Sequence, residues 1–191
     1  GIGDVARRHG IRLHLDGARL LNACVEKKVR PTEYTRHCDS ATLCFSKGLG
    51  CPVGSIVAGP RDFIERGRRW RKVFGGGMRQ AGILAAAAIY ALERNIERLA
   101  EDHENARLLA RGLAGIDTLD IRPAEVETNM VFFDCPRTGM AAARLREQMA
   151  KAGVLMYDTA PHRIRLVTHL DVSREQVLAA VGMFKQVLMS V

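Results

Sequence analysis

One stretch constrains this chain more than any other. Ile11, Leu13 and Leu15 alternate with Arg12, His14 and Asp16, Gly17 breaks the pattern, and a helical run over residues 18–28 (ARLLNACVEKK) follows. A period of two is that of a strand. The helix must stop ahead of Arg30-Pro31, because a residue before proline is pushed out of the helical region. A second apolar strand then covers residues 41–46 (ATLCFS) and runs into Lys47-Gly48-Leu49-Gly50. Strand, helix, strand predicts two parallel neighbours joined by a right-handed crossover. Ligands of open α/β sheets bind at the carboxyl ends of such strands, and Asp16 and Lys47 both fall there.

The flanking sequence fits the same plan. Residues 4–9 read as the end of a helix closed by Gly10, and residues 55–58 (SIVA) as a third strand. After Gly75-Gly76-Gly77, a long helical region carries Ile89, Leu92, Ile96, Leu99, His103, Ala106 and Leu113 on one stripe, as a docking helix would. Beyond Gly115 the elements become short and alternate: strands at 129–134 and 164–168, helices at 140–150 and 174–189. Ser173 and Gln176 form an S-x-x-Q capping box ahead of the last of these. The change of style predicts a large α/β domain over residues 1–95 and a small α+β domain over residues 96–191.

Composition narrows the function classes. The longest apolar stretch, residues 81–92, is interrupted by Gly82 and falls short of the roughly 20 residues of a membrane-spanning helix. Five cysteines, with no C-x-x-C pair and mostly inside apolar runs, read as buried free thiols, so neither disulfides nor a metal site is expected. The first residues lack an initiator Met and any secretory signal, which leads to the expectation of a cytoplasmic protein whose beginning has been removed. The net charge of +8 is concentrated in residues 61–72 (RDFIERGRRWRK), where Trp70 interrupts a basic run. A nucleic-acid-binding module is one reading. A basic helix or loop beside a subunit interface or an anionic cofactor is the preferred one, and neither nucleic acid nor membrane is expected as a partner.

Asp16 and Lys47 together carry chemistry. A lysine after a buried strand and beside a glycine is expected to be poorly solvated and available as a nucleophile toward carbonyls. An aspartate at the same edge is what a pyridoxal phosphate site needs to keep the ring nitrogen protonated. On residue types alone two other roles stay open: Asp16 as a helix cap and Lys47 as an ordinary loop lysine. In the second half, Arg165 alternates with Ile164 and Leu166 and so faces away from their core side. Its planar guanidinium matches an α-carboxylate bidentately. Arg163, on the same face, is its rival. His169 is either a proton shuttle or a structural histidine at a strand end, and His14 is expected on the strand face opposite Asp16.

Four motifs in one order, residues 14–23 (HLDGARLLNA), 46–55 (SKGLGCPVGS), 75–80 (GGGMRQ) and 164–169 (IRLVTH), closely resemble the low-specificity L-threonine aldolases. The resemblance spans essentially the whole chain, whereas that family's chains extend well beyond its amino-terminal end. It implies an α/β fold: the later part of an aspartate-aminotransferase-like (type I) pyridoxal phosphate large domain, followed by a small α+β carboxyl-terminal domain. It implies a carbon–carbon lyase that cleaves L-threonine, L-allo-threonine and related β-hydroxy-α-amino acids to glycine and an aldehyde. Motif by motif, Lys47 would hold pyridoxal 5'-phosphate covalently and Asp16 would pair with its ring nitrogen. Arg19 would contact the cofactor and help to position substrate. Arg79, after three glycines whose amides suit an anion, would reach a cofactor phosphate of the neighbouring subunit, and Arg165 would clamp the substrate carboxylate. The implied partners are a small amino-acid substrate, the amino-terminal remainder of the same enzyme and further copies in a dimer or tetramer. The chain alone is expected to expose an apolar sheet edge and to be inactive. The alternatives are a β-eliminating lyase, which uses the same lysine and aspartate, a non-catalytic fragment, or the nucleic-acid module.

Overall fold

The first strand is shorter than its alternation. β1 (His14–Gly17) begins only after Leu13, whose amide donates to Asp39 Oδ2 at 2.7 Å while its carbonyl accepts the Asp39 amide at 2.8 Å. Ile11 is left 64% exposed. β1 pairs in parallel with β2 (Ser40–Cys44), Asp16 lying opposite Thr42 and Gly17 opposite Leu43. β3 (Ser55–Ala58) adds to β2 antiparallel, giving the order β1-β2-β3. The computed structural model describes residues 1–189 and divides into two compact units, Gly1–Arg98 and a second from Leu99 onward.

In the first unit, α1 (Ile2–Arg8) is followed by Gly10 at φ 63°, and α2 (Leu20–Lys27) fills the crossover between the parallel strands, with a one-turn helix α3 (Thr32–Thr35) after it. The basic run is helical: α4 (Arg61–Val73) has no buried residue and carries exposed i,i+4 pairs, Arg61 with Glu65 at 3.0 Å and Arg66 with Asp62 at 3.4 Å. Trp70 stacks on Phe74 with ring centroids 5.8 Å apart, and both rings are solvent-facing.

The triple glycine terminates that helix. Gly75 sits at φ 79°, its amide donates to the Lys72 carbonyl at 3.2 Å, and the Gly76 amide donates to the Arg71 carbonyl at 2.8 Å. These are the two bonds of a Schellman cap. The expected anion cradle is therefore not formed by all three amides, because helix carbonyls consume two of them. A Cβ at Gly75 would be strained by the left-handed backbone, so Gly75→Ala should lower the unfolding free energy by about 1–2 kcal/mol. A urea denaturation midpoint equal to the parent's would contradict that strain.

The long helical stripe breaks in two. α5 (Gly82–Arg94) ends at Asn95, whose side-chain amide is drawn off to the Leu49 carbonyl at 2.7 Å, and α6 (Leu99–Ala114) starts afresh. Ile89 and Leu92 are exposed, whereas Leu99, His103, Ala106 and Leu113 are buried. The expected single docking face is thus two half-stripes, and only the second is covered.

The second unit holds the extended core. β4 (Met130–Asp134), β5 (Tyr157–Ala160) and β6 (Arg163–Val167) form an antiparallel sheet in the order β4-β6-β5. α7 (Ala142–Lys151) packs against β5, and α8 (Arg174–Met189) packs against α6. Val131, Phe133, Ile164 and Leu166 point into one core with Leu113, Leu145, Met149 and Phe184, and Phe133 meets Phe184 edge-on at 5.8 Å. The capping box on α8 is present: the Gln176 amide donates to Ser173 Oγ at 3.3 Å, and the Ser173 amide to Gln176 Oε1 at 2.8 Å.

Candidate active site

The parallel register brings the first two candidate residues to one edge. Asp16 is the third residue of β1, and Lys47 follows β2 by three residues, so both lie where neighbouring parallel strands end. Gly17 makes this approach possible. A Cβ there would sit 2.1 Å from the Thr42 carbonyl oxygen, closer than any side chain tolerates.

Asp16 is exposed, and its Oδ1 accepts the Ala18 amide at 3.1 Å, closing a tight turn at the strand end. It does not cap the next helix: Arg19 occupies the N-cap of α2, with no side-chain cap bond. Among the described residues no cation pairs with Asp16, so a carboxylate held by its own backbone keeps one oxygen for a ligand.

Lys47 is exposed, and β2 is half-buried along its length, so the expected desolvation of the amine is absent from this chain. Its Nζ donates to Cys44 Sγ at 3.1 Å, and no carboxylate pairs with it among the described residues. Cys44 was not singled out by sequence, although its spacing of three residues was there to be read. Cys24, Cys51 and Cys135 are buried, and burial pushes each of them above the ordinary thiol pKa.

His14 corrects an expectation. Two residues apart on one strand, His14 and Asp16 share a face, because side chains alternate with period two. Both are exposed, and His14 Nδ1 lies 2.8 Å from Ser40 Oγ on β2. Arg19 is half-buried at the start of α2, and Arg79 is exposed in the segment just ahead of α5.

The remaining candidates belong to the second unit. Arg165 projects from β6 on the face opposite Ile164 and Leu166, which are buried, and its guanidinium lies 5.4 Å from the Tyr157 ring centroid. Its Nε is buried without a hydrogen-bond acceptor. Arg163 is already engaged, 3.6 Å from Asp134 and over the Phe132 ring at 5.6 Å. His169 follows the strand, with Nδ1 3.3 Å from Asp171 Oδ2. The strand end is anchored by buried Thr168, whose Oγ1 donates to the Asp102 carbonyl at 2.6 Å. Among the described residues no cluster of metal-ligating side chains exists. No helix among them is long and apolar enough to cross a membrane.

Comparison with known proteins places the chain in a family. The family model described as β-eliminating lyase matches residues 1–136. The chain is 51% identical over 177 residues to the low specificity L-threonine aldolase of Escherichia coli K12, covering 91% of this chain and 50% of that protein. It is 40% identical over 190 residues to low-specificity L-threonine aldolase 1 of Arabidopsis thaliana, covering 99% and 53%. A solved threonine aldolase of Leishmania major superposes with a TM-score of 0.75 at 18% identity, over 98% of this chain and 55% of that one, which speaks for the fold alone. The chain spans about half the length of the curated relatives it matches. With the family model covering more than half of its residues, the chain belongs to the β-eliminating lyase family.

Proposed function

We propose that these residues form the carboxyl-terminal part of a pyridoxal-phosphate-dependent aldolase that splits L-threonine, L-allo-threonine and related β-hydroxy-α-amino acids into glycine and an aldehyde. The first unit then belongs to the large cofactor-binding domain, and the second is the small domain. One observation carries the reading: an amine, Lys47, and a carboxylate, Asp16, stand at the carboxyl ends of neighbouring parallel strands, and neither is neutralised by an ion pair among the described residues.

Those groups fit the cofactor. Lys47 supplies a primary amine for its carbonyl, and Asp16 a fixed negative charge for its ring nitrogen. When bound, the cofactor supplies an electron sink for the pair released as the bond between the α and β carbons breaks. Asp16 holds the proton on the ring nitrogen, and Cys44 Sγ accepts from the Lys47 ammonium and restrains it near the strand end. Arg19 contacts the cofactor and helps to place substrate, Arg79 binds a phosphate of the neighbouring subunit, and Arg165 binds the substrate α-carboxylate. The working enzyme in this reading includes an amino-terminal part and a second copy of the chain. Support comes from the apolar side chains left uncovered in the first unit: Ile56 and Val57 on β3, Phe74, Ile83, Ile89 and Tyr90. A cytoplasmic location is part of the same proposal.

A second reading, β-elimination, uses the same Lys47 and Asp16 and is favoured by the description of the matching family model. Products separate the two. Glycine with acetaldehyde from threonine supports the aldolase, whereas ammonia with a 2-oxo acid supports elimination. The site itself is tested by borohydride reduction of the cofactor-loaded protein and peptide mapping. A reduced adduct on Lys47 is expected, and one on Lys27, Lys28 or Lys72 in its place would remove the assignment.

A further inference from the structure

The outward face of the second sheet carries two arginines, and the fold treats them differently. Arg163 and Arg165 are two residues apart on β6, so both leave the sheet on the side away from the core. Across the ladder Arg163 stands opposite Asp134, and its charge is taken up by that carboxylate at 3.6 Å, with Phe132 beneath the guanidinium. Arg165 stands between two aromatic neighbours, Phe132 on β4 and Tyr157 on β5. It has no carboxylate partner among the described residues, and its Nε is buried without an acceptor. An unsatisfied buried donor on a cation is costly unless something accepts from it.

Tyr157 explains how the guanidinium is held. Its ring centroid is 5.4 Å from the Arg165 carbon Cζ, within the range in which the ring quadrupole attracts a cation. A flat ion resting on a ring is restrained by that contact while its edge N–H groups stay available, and edge-on N–H pairs are what bind a carboxylate bidentately. Tyr157 does little for folding: it sits on edge strand β5 and remains 66% exposed.

We propose that Tyr157 is a positioning residue for Arg165, holding its guanidinium for the α-carboxylate of the amino-acid substrate. The proposal rests on the reading of Arg165 as that clamp. Tyr157 acts through its ring face.

The test uses the complete, cofactor-loaded enzyme, with steady-state kinetics on threonine and calorimetric binding of glycine. Tyr157→Leu should raise KM for threonine and Kd for glycine about two- to fivefold with kcat within twofold of the parent, the span of an exposed cation–π contact. Tyr157→Phe keeps the ring and should restore parental binding. In an Arg165→Ala background, Tyr157→Leu should add nothing further. If Arg165→Ala weakens glycine but Tyr157→Leu does not, the clamp stands and the positioning role is lost. A Tyr157→Phe variant as weak as Tyr157→Leu would move the effect to the hydroxyl and overturn the ring contact. Unchanged glycine binding in Arg165→Ala would remove the clamp itself, and the role of Tyr157 with it.

Discussion

Asp16→Ala should cost the complete enzyme about a hundredfold or more in kcat, the order found when a preorganised group that stabilises developing charge is removed. The effect is separable from folding because Asp16 is exposed and makes one backbone bond, to the Ala18 amide. Losing that bond costs only about 1 kcal/mol, and water can replace it. Asp16→Asn sharpens the comparison: its amide oxygen can still accept from Ala18, yet it brings no charge to the ring nitrogen. Both variants should therefore lose turnover, while Asp16→Asn keeps the parent's thermal midpoint. An Asp16→Asn enzyme with parental kcat would show that the carboxylate has no electronic role, whatever its position at the strand end.

Gly17→Ala is expected to be more damaging still, and for a reason that has nothing to do with chemistry. The added methyl would lie 2.1 Å from the Thr42 carbonyl oxygen and 3.3 Å from Leu20 Cβ. That oxygen belongs to β2, which is held between β1 and β3, so it cannot step aside without opening the ladder. Overpacking of a rigid contact costs about 1–3 kcal/mol in ordinary cores, and a backbone collision at this distance should exceed about 3 kcal/mol. Hydrogen exchange is the direct measurement. Amides of β1 and β2 should lose protection, while those of β4 and β6, which belong to a separate core, keep theirs. Parental protection over residues 14–17 and 40–44 would mean that the strands tolerate a Cβ at Gly17.

Much of the local structure was legible before any coordinates. Periods of two and of 3.6 residues located most strands and most helices, because burial selects side chains by the geometry of each element, but β5 (Tyr157–Ala160) was not foreseen. The span of α8 and its Ser173–Gln176 cap matched throughout, since a capping box is a local device whose partners are three residues apart. Where the reading failed, contacts that periodicity does not report decided, some distant and some local. α5 and α6 share one apolar stripe in sequence, but the Asn95 side chain is drawn to Leu49 and the stripe breaks. Gly75 and Gly76 looked like open amides until the end of α4 used both. Lys47 was expected to be desolvated, yet β2 is half-buried and the amine is exposed.

By itself the sequence determined the order strand, helix, strand, the placing of Asp16 and Lys47 at strand ends, and the side of β6 from which Arg165 leaves. Each of these depends on residues close in the chain, where periodicity and turn chemistry act directly. Tertiary structure alone decided that Gly17 packs against Thr42, that Asp134 engages Arg163, and that Tyr157 lies against Arg165. Most of those pairings are set by strand register, and register comes from burying whole faces together, which no single stretch of sequence encodes.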